Sequence, residues 1–242
     1  MASRRRRLVS AATAGALGVC CLTAVGCGSS SGVPDPLASQ SAETVMAEAI
    51  ANLKAAPSVT VNTTGIDSGQ YISGYMRVDP GEGCTGTTTV ETLSAWATAT
   101  YITIGQTVYF KPDSLMWEVL AGSGAATLTR QVGSRYVKVP VSDDHLYGLG
   151  TCLIDGLQTS GVSVTKGQVT MLNGVRALQL KDPGGDVIFV TDTSKPELIQ
   201  FDAAAAPGTT DPADEATYTI GASVRLTPPP ASQVVSGTSI HF

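Results

Sequence analysis

Tyr71-Ile72-Ser73-Gly74-Tyr75-Met76-Arg77-Val78 decides the fold, because Ile72, Met76 and Val78 fall on one side of an extended chain while Tyr71, Ser73, Tyr75 and Arg77 fall on the other. A period of two marks a strand with one face in a core. Turn residues bracket it, Asp67-Ser68-Gly69 before and Asp79-Pro80-Gly81 after. Upstream, Val59 and Val61 alternate with Thr60 and Asn62. Downstream come a Thr-rich run from Cys84 to Leu93, another from Ala97 to Ile104, and Thr107 to Lys111 across Gly105-Gln106. Loops this short join antiparallel neighbours, since a parallel crossover needs about a dozen residues or more. The first half of the domain is therefore predicted to be a meander.

Outside the meander the period changes. Ser41 is placed to cap a helix in which Val45, Met46, Ala49, Ile50 and Leu53 recur at helical spacing, until Pro57 ends it. After Pro112-Asp113 a short helix carries Leu115, Met116, Val119 and Leu120, released at Gly122 and Gly124. Tyr136 to Val139 is a strand, and Ser142 caps a further helix with Leu146, Leu149, Leu153 and Leu157 on one side. The last third returns to strands: Lys166 to Leu172, Val175 to Lys181 across Asn173-Gly174, Asp186 to Thr191, Leu198 to Asp202, and a long strand with Tyr218, Ile220, Ala222, Val224 and Leu226 facing one way. Pro228 to Pro230 stops pairing, and the tail from residue 231 to Phe242 is expected to be loose. The fold class is α+β: about ten antiparallel strands in one curved sheet, with two or three amphipathic helices on one face.

The N-terminus reads as a targeting signal. Arg4 to Arg7 precede an apolar, small-residue segment from Leu8 to Val25, and Ala24-Val25-Gly26-Cys27 leads into the polar run Gly28-Ser29-Ser30-Ser31-Gly32. Such an order is that of a secretory signal peptide, here residues 1–26, ending at a lipidation site. The stretch resembles the lipobox of bacterial lipoproteins, in which a small residue precedes the acylated cysteine; the resemblance departs at Ala24, where a large aliphatic is usual. Cys27 is the expected acylated residue. An uncleaved membrane span over Leu8 to Val25 is the competing reading, disfavoured by Gly15, Gly18 and the polar break. Ser3-Arg4-Arg5 leaves open whether the general or the twin-arginine route is used. From residue 27 to 40 the chain is Ser, Gly and Pro with hardly an anchor for a core, a flexible tether. The expected location is the extracytoplasmic face of the cell membrane, lipid-anchored.

Loss of residues 1–26 moves the formal net charge from −5 to −9, because the four arginines leave with the signal. A surface so acidic argues against nucleic acid as a partner and against adhesion to anionic headgroups. With Cys20, Cys21 and Cys27 assigned to the leader and its end, Cys84 and Cys152 remain. In an oxidising compartment an isolated pair is most simply a disulfide, with two buried thiols as the alternative. Its loop would stabilise the fold by roughly 4 kcal/mol in the chain-entropy picture.

Little here points to catalysis. Asp143-Asp144-His145 is the nearest approach to a metal site, but consecutive residues at a helix start diverge and no second histidine stands at helical spacing. No G-x-S-x-G elbow supports a serine triad, and Gly81-Glu82-Gly83-Cys84 and Gly122-Ser123-Gly124 lack the lysine and the strand-to-helix setting of a phosphate loop. No cofactor, metal or catalytic residue is expected, and the protein reads as a monomeric non-enzyme. Trp96, Trp117, Tyr101, Tyr109 and Phe110 can stack on a ligand or, more simply, fill a core.

The whole layout, with Gly105-x-x-Val108-Tyr109-Phe110-Lys111-Pro112-Asp113 followed by Trp117, helices, and strands returning through Asn-Gly, resembles the LppX/LprA/LprF/LprG lipoproteins and, more distantly, LolA and LolB, across about residues 41–230. What the resemblance implies is a half-barrel, an antiparallel sheet curved around helices on its concave face, with an apolar cavity between the layers that holds acyl chains. Ala97, Ala99, Gly74, Ala177 and Ala222 are the small residues expected to leave that room. Two functions compete: a carrier of a lipid or acylated molecule, and a structural or signalling adaptor with a filled core that docks a partner protein. An enzyme centred on His145 stands third.

Overall fold

The computed structural model describes residues 35–142 apart from Ser68 and Ser94, then residues 152, 154 and 157, and then 163–204 and 214–237. The signal peptide, Cys27, the start of the tether and most of the helix expected after Ser142 lie outside the described residues.

Six strands follow one another as a meander: β1 (Val59–Asp67), β2 (Gln70–Asp79), β3 (Gly83–Glu91), β4 (Trp96–Ile104), β5 (Thr107–Pro112) and β6 (Tyr136–Pro140). A second meander runs through β7 (Thr165–Leu172), β8 (Val175–Lys181), β9 (Val187–Thr191), β10 (Leu198–Asp202) and β11 (Glu215–Ile220). The pairing that unites them is β11 against β1, Tyr218 opposite Val61 and Ala216 opposite Thr63. One curved sheet of twelve strands results, with edges at β7 and β12 (Val234–Ser236), and it is not closed. The α+β class and the antiparallel half-barrel read from the sequence are what is found.

Register explains the sheet's two faces. Val59, Val61, Met76 and Val78 share a side with Cys84, Val90, Ala97, Ala99, Tyr101, Val108, Phe110, Val137 and Val139 by the register of the ladders, and all are buried. Leu178, Leu180, Ile188, Val190 and Tyr218 continue that side through the second meander. The other side presents mostly threonines and long polar chains. Asn173-Gly174 makes the β7–β8 turn with φ of 51° and 81°, the left-handed pair that a two-residue hairpin requires.

Three helices lie among the described residues. Helix α1 (Ala42–Lys54) starts at Ser41, whose hydroxyl accepts from the Thr44 amide at 3.2 Å, and buries Val45, Ala49, Ile50 and Leu53. Helix α2 (Ser114–Ala121) is capped by Asp113, whose Oδ1 accepts from Met116 N at 2.6 Å while Oδ2 accepts from Thr98 N at 2.9 Å. That second bond ties the helix start to β4. A short turn over Gly122–Gly124 leads into α3 (Ala125–Val132), which buries Ala125, Leu128 and Val132. The glycines thus redirect a helical run instead of ending it.

Three expectations are corrected. The tail is not loose at its start: Val234–Ser236 pairs in parallel with Tyr136–Lys138, because the outer edge of β6 offers unpaired backbone groups that two valines can occupy. The last long strand stops at Ile220, so Ala222, Val224 and Leu226 are not part of it. At the end of the stretch read as tether, Leu37 is fully buried; Asp35 Oδ1 accepts its amide at 3.0 Å, and Lys166 Nζ donates to its carbonyl at 2.5 Å. One apolar side chain is enough to pin a turn of otherwise polar chain to the domain.

Candidate functional site

The interior is solid on one side and hollow on the other. Under α2, the small residues Ala97 and Ala99 let Trp117 and Met116 settle on β4, and the Trp117 ring meets Phe110 edge to face at 6.5 Å. Tyr101 lies across β3 because Gly86 has no Cβ; one built there would come within 2.6 Å of the tyrosine oxygen. Burial pushes the Tyr101 hydroxyl up to about 12. Of the aromatic residues weighed above, Trp117, Tyr101 and Phe110 are therefore core, while Trp96 is about half exposed.

Helix α1 packs on β10 and β7, and α2 on β4 and β5, so the ends of β1, β2 and β11 between them have less cover. There a cleft of about 450 Å³ is lined by Thr63–Ile66, Ile72, Leu157, Phe201, Ala216 and Tyr218, with Asp214 and Glu215 at its margin. Leu157, Phe201 and Tyr218 also line a smaller hollow of about 80 Å³ beneath α1, where Met46, Ala49 and Ile50 face Ile188, Val190 and Leu198. The two are neighbours through shared side chains. Together they lie in the size range of small-molecule sites, roughly 300–1,000 Å³.

The polar groups of the cleft are few. Asp214 Oδ1 accepts from Ile66 N at 3.2 Å, and the carboxylate sits so close over Gly65 that a Cβ there would meet it at 2.1 Å. Glycine at 65 is what admits it. Thr64 faces Glu215 across the β1–β11 ladder. Burial raises the Tyr218 hydroxyl above the ordinary phenol range, so it stays a neutral group in the wall. Among the described residues, no lysine or arginine lines either hollow. Such a site can bury apolar chain and offer a few oxygen acceptors at its margin.

Cys84 and Cys152 are joined, with Cα atoms 5.7 Å apart, the disulfide expected of this pair; the helix expected to carry Cys152 lies outside the described residues. Cys27 and Asp143-Asp144-His145 lie outside the described residues, among which no group of three metal-ligating side chains occurs. The room does not come from the residues expected to leave it. Ala97 and Ala99 are filled over by α2, Gly74 lies against Thr63, Ala177 belongs to the opposite side of the sheet from Leu178, and Ala222 is exposed beyond β11. Phe201, Ala216 and the Asp214–Glu215 pair escaped notice because each borders the cleft only once β11 has returned to β1. The available signal was the apolar alternation of Ala216, Tyr218 and Ile220.

No protein-family description matches the chain, and no curated protein sequence matches it. Among solved structures, the crystal structure of LprF from Mycobacterium bovis is similar at 14% identity, with 78% of this chain and 96% of that chain covered and a TM-score of 0.47.

Proposed function

We propose that the chain is an extracytoplasmic lipoprotein of the LppX/LprA/LprF/LprG type, held to the membrane through acylated Cys27, that lodges the apolar part of a lipid or acylated molecule between α1 and the β1–β2–β11 wall. The observation that carries this is the cleft of about 450 Å³, walled by Ile66, Ile72, Leu157, Phe201, Ala216 and Tyr218, the last of which, with Leu157 and Phe201, also lines the hollow under α1. Each methylene moved into such surroundings contributes about 0.8 kcal/mol, so ten of them supply about 8 kcal/mol before the costs of association. An adaptor with a solid interior has no use for this space, and the cleft counts against it.

The test is extraction of the gently purified chain with organic solvent, which leaves covalent acyl groups on the protein and frees what is merely bound. Mass spectra should show an apolar molecule near one per chain, and Ala216→Trp or Ile72→Trp, each confirmed as folded by circular dichroism, should lower it about tenfold. Absence of any such molecule from the parent chain, or equal amounts from parent and filled variants, overturns the proposal.

A further inference from the structure

We infer that Phe201, with Leu157 and Tyr218, forms a septum across the interior that limits the length of acyl chain the cleft accepts. The inference rests on the reading of the cleft as an acyl-chain site and adds the residue that sets its selectivity. Among the described residues, the cleft and the hollow under α1 share these three side chains and no others. The two spaces end differently. Asp214 and Glu215, at the margin of the cleft, are exposed, whereas Ala49, Ile50, Val190 and Leu198 around the hollow are all buried. A chain therefore enters from the acidic margin, and the hollow lies behind the septum.

Register explains why Phe201 is the deciding member. It stands on β10 opposite Ala216, a wall of the cleft, and opposite Ile188, a wall of the hollow, so its ring lies on the line from one space to the other. Tyr218 is two residues past Ala216 on the same face of β11, and Leu157 meets both from outside the sheet. Lys54 Nζ, at the end of α1, donates to the Leu157 carbonyl at 2.7 Å and holds that residue to the helix. From Glu215 at the margin to Tyr218 at the septum the strand advances about 10 Å. A chain whose polar end stays beside Asp214 and Glu215 and whose tail runs along Ala216 brings its terminal methyl against the Phe201 ring. One methylene more gains nothing unless that ring leaves its packed rotamer, which strains the side chain and its neighbours. The margin opens to water and sets no such limit.

The full chain is incubated with an equimolar mixture of straight-chain 1-monoacylglycerols, octanoyl to behenoyl, whose uncharged head group suits the acidic margin. Excess is removed by gel filtration, and the bound fraction is extracted and read by mass spectrometry. In the parent, enrichment should rise about fourfold per added methylene up to a limiting length and fall beyond it. Phe201→Ala joins the two spaces and should raise that limit by about two to four carbons, the extent that a hollow of about 80 Å³ provides. Phe201→Leu, a milder truncation, should move it the same way at less cost to the fold. Adding Ala49→Leu, which fills the hollow from α1, should return the limit to that of the parent. Each variant is first confirmed as folded by circular dichroism; where Phe201→Ala is not, Phe201→Leu carries the comparison. A limit unchanged by truncating Phe201, or one that Ala49→Leu leaves extended, overturns the septum while monoacylglycerol on the parent keeps the cleft's function standing. A parent that retains no monoacylglycerol of any length overturns the cleft's function and the septum with it.

Discussion

Asp192 has its carboxylate out of contact with water just past β9, with Arg176 Nε 2.6 Å from its Oδ2. Burial raises its proton affinity, Arg176 opposes that, and neighbouring Asp35 adds to the rise. A carboxyl held above its usual value of 3.8 favours the folded state when protonated, so its contribution is complete below that pH and is lost as pH rises through the elevated value. Asp192→Asn removes the titration. In urea unfolding, the stability of the parent relative to Asp192→Asn should be greater at pH 4 than at pH 7; a difference independent of pH contradicts the assignment. Nothing in the local sequence marks Asp192, because Arg176 and Asp35 reach it from β8 and from the turn at the start of the described chain. Asp214 is similar: its approach to Ile66 depends on a glycine at 65 that reads in sequence only as a gap in β1.

At the scale of elements, most boundaries were legible because turn chemistry and periodicity agree. Asn173-Gly174, Gly105 and the Asp113 cap fall where the sequence puts them, and β10 spans Leu198–Asp202 as read. Helix α3 was missed although Ala125, Leu128 and Val132 have helical spacing, since the glycines before it look like an ending. The disulfide is the element-level feature with the largest expected effect. Cys152→Ser should lower stability by about 2–4 kcal/mol by releasing a loop of 68 residues' separation from β3, read as a shift of the denaturation midpoint, with the parent under reducing conditions behaving likewise. Equal midpoints for parent and variant under oxidising conditions would show that the bridge does not constrain the chain.

The whole molecule divides by how its interior is filled. Around β3–β6, the side chains of Tyr101, Phe110, Met116, Trp117 and Leu128 leave little space, whereas α1 and the walls of β1, β2 and β9–β11 enclose the hollows. Missing neighbours forfeit dispersion contacts, so the second region opens at lower free energy. Amide exchange should be slowest in β3–β5 and faster in β1, β10 and β11, and an apolar ligand should slow the latter set while leaving the former unchanged; uniform protection throughout contradicts the division. The order of strands β1 to β11, the faces of most of them, the pairing of Cys84 with Cys152 and the α+β class were determined by the sequence itself, since each depends on spacing along a few tens of residues or on having a single partner available. Which strand closes the two meanders into one sheet, that the tail returns to β6, and where the interior stays empty were decided by tertiary structure. Those depend on side chains from β1, β2, β10, β11 and α1 meeting at one place, and the volume they leave is a difference between large numbers that no local pattern records.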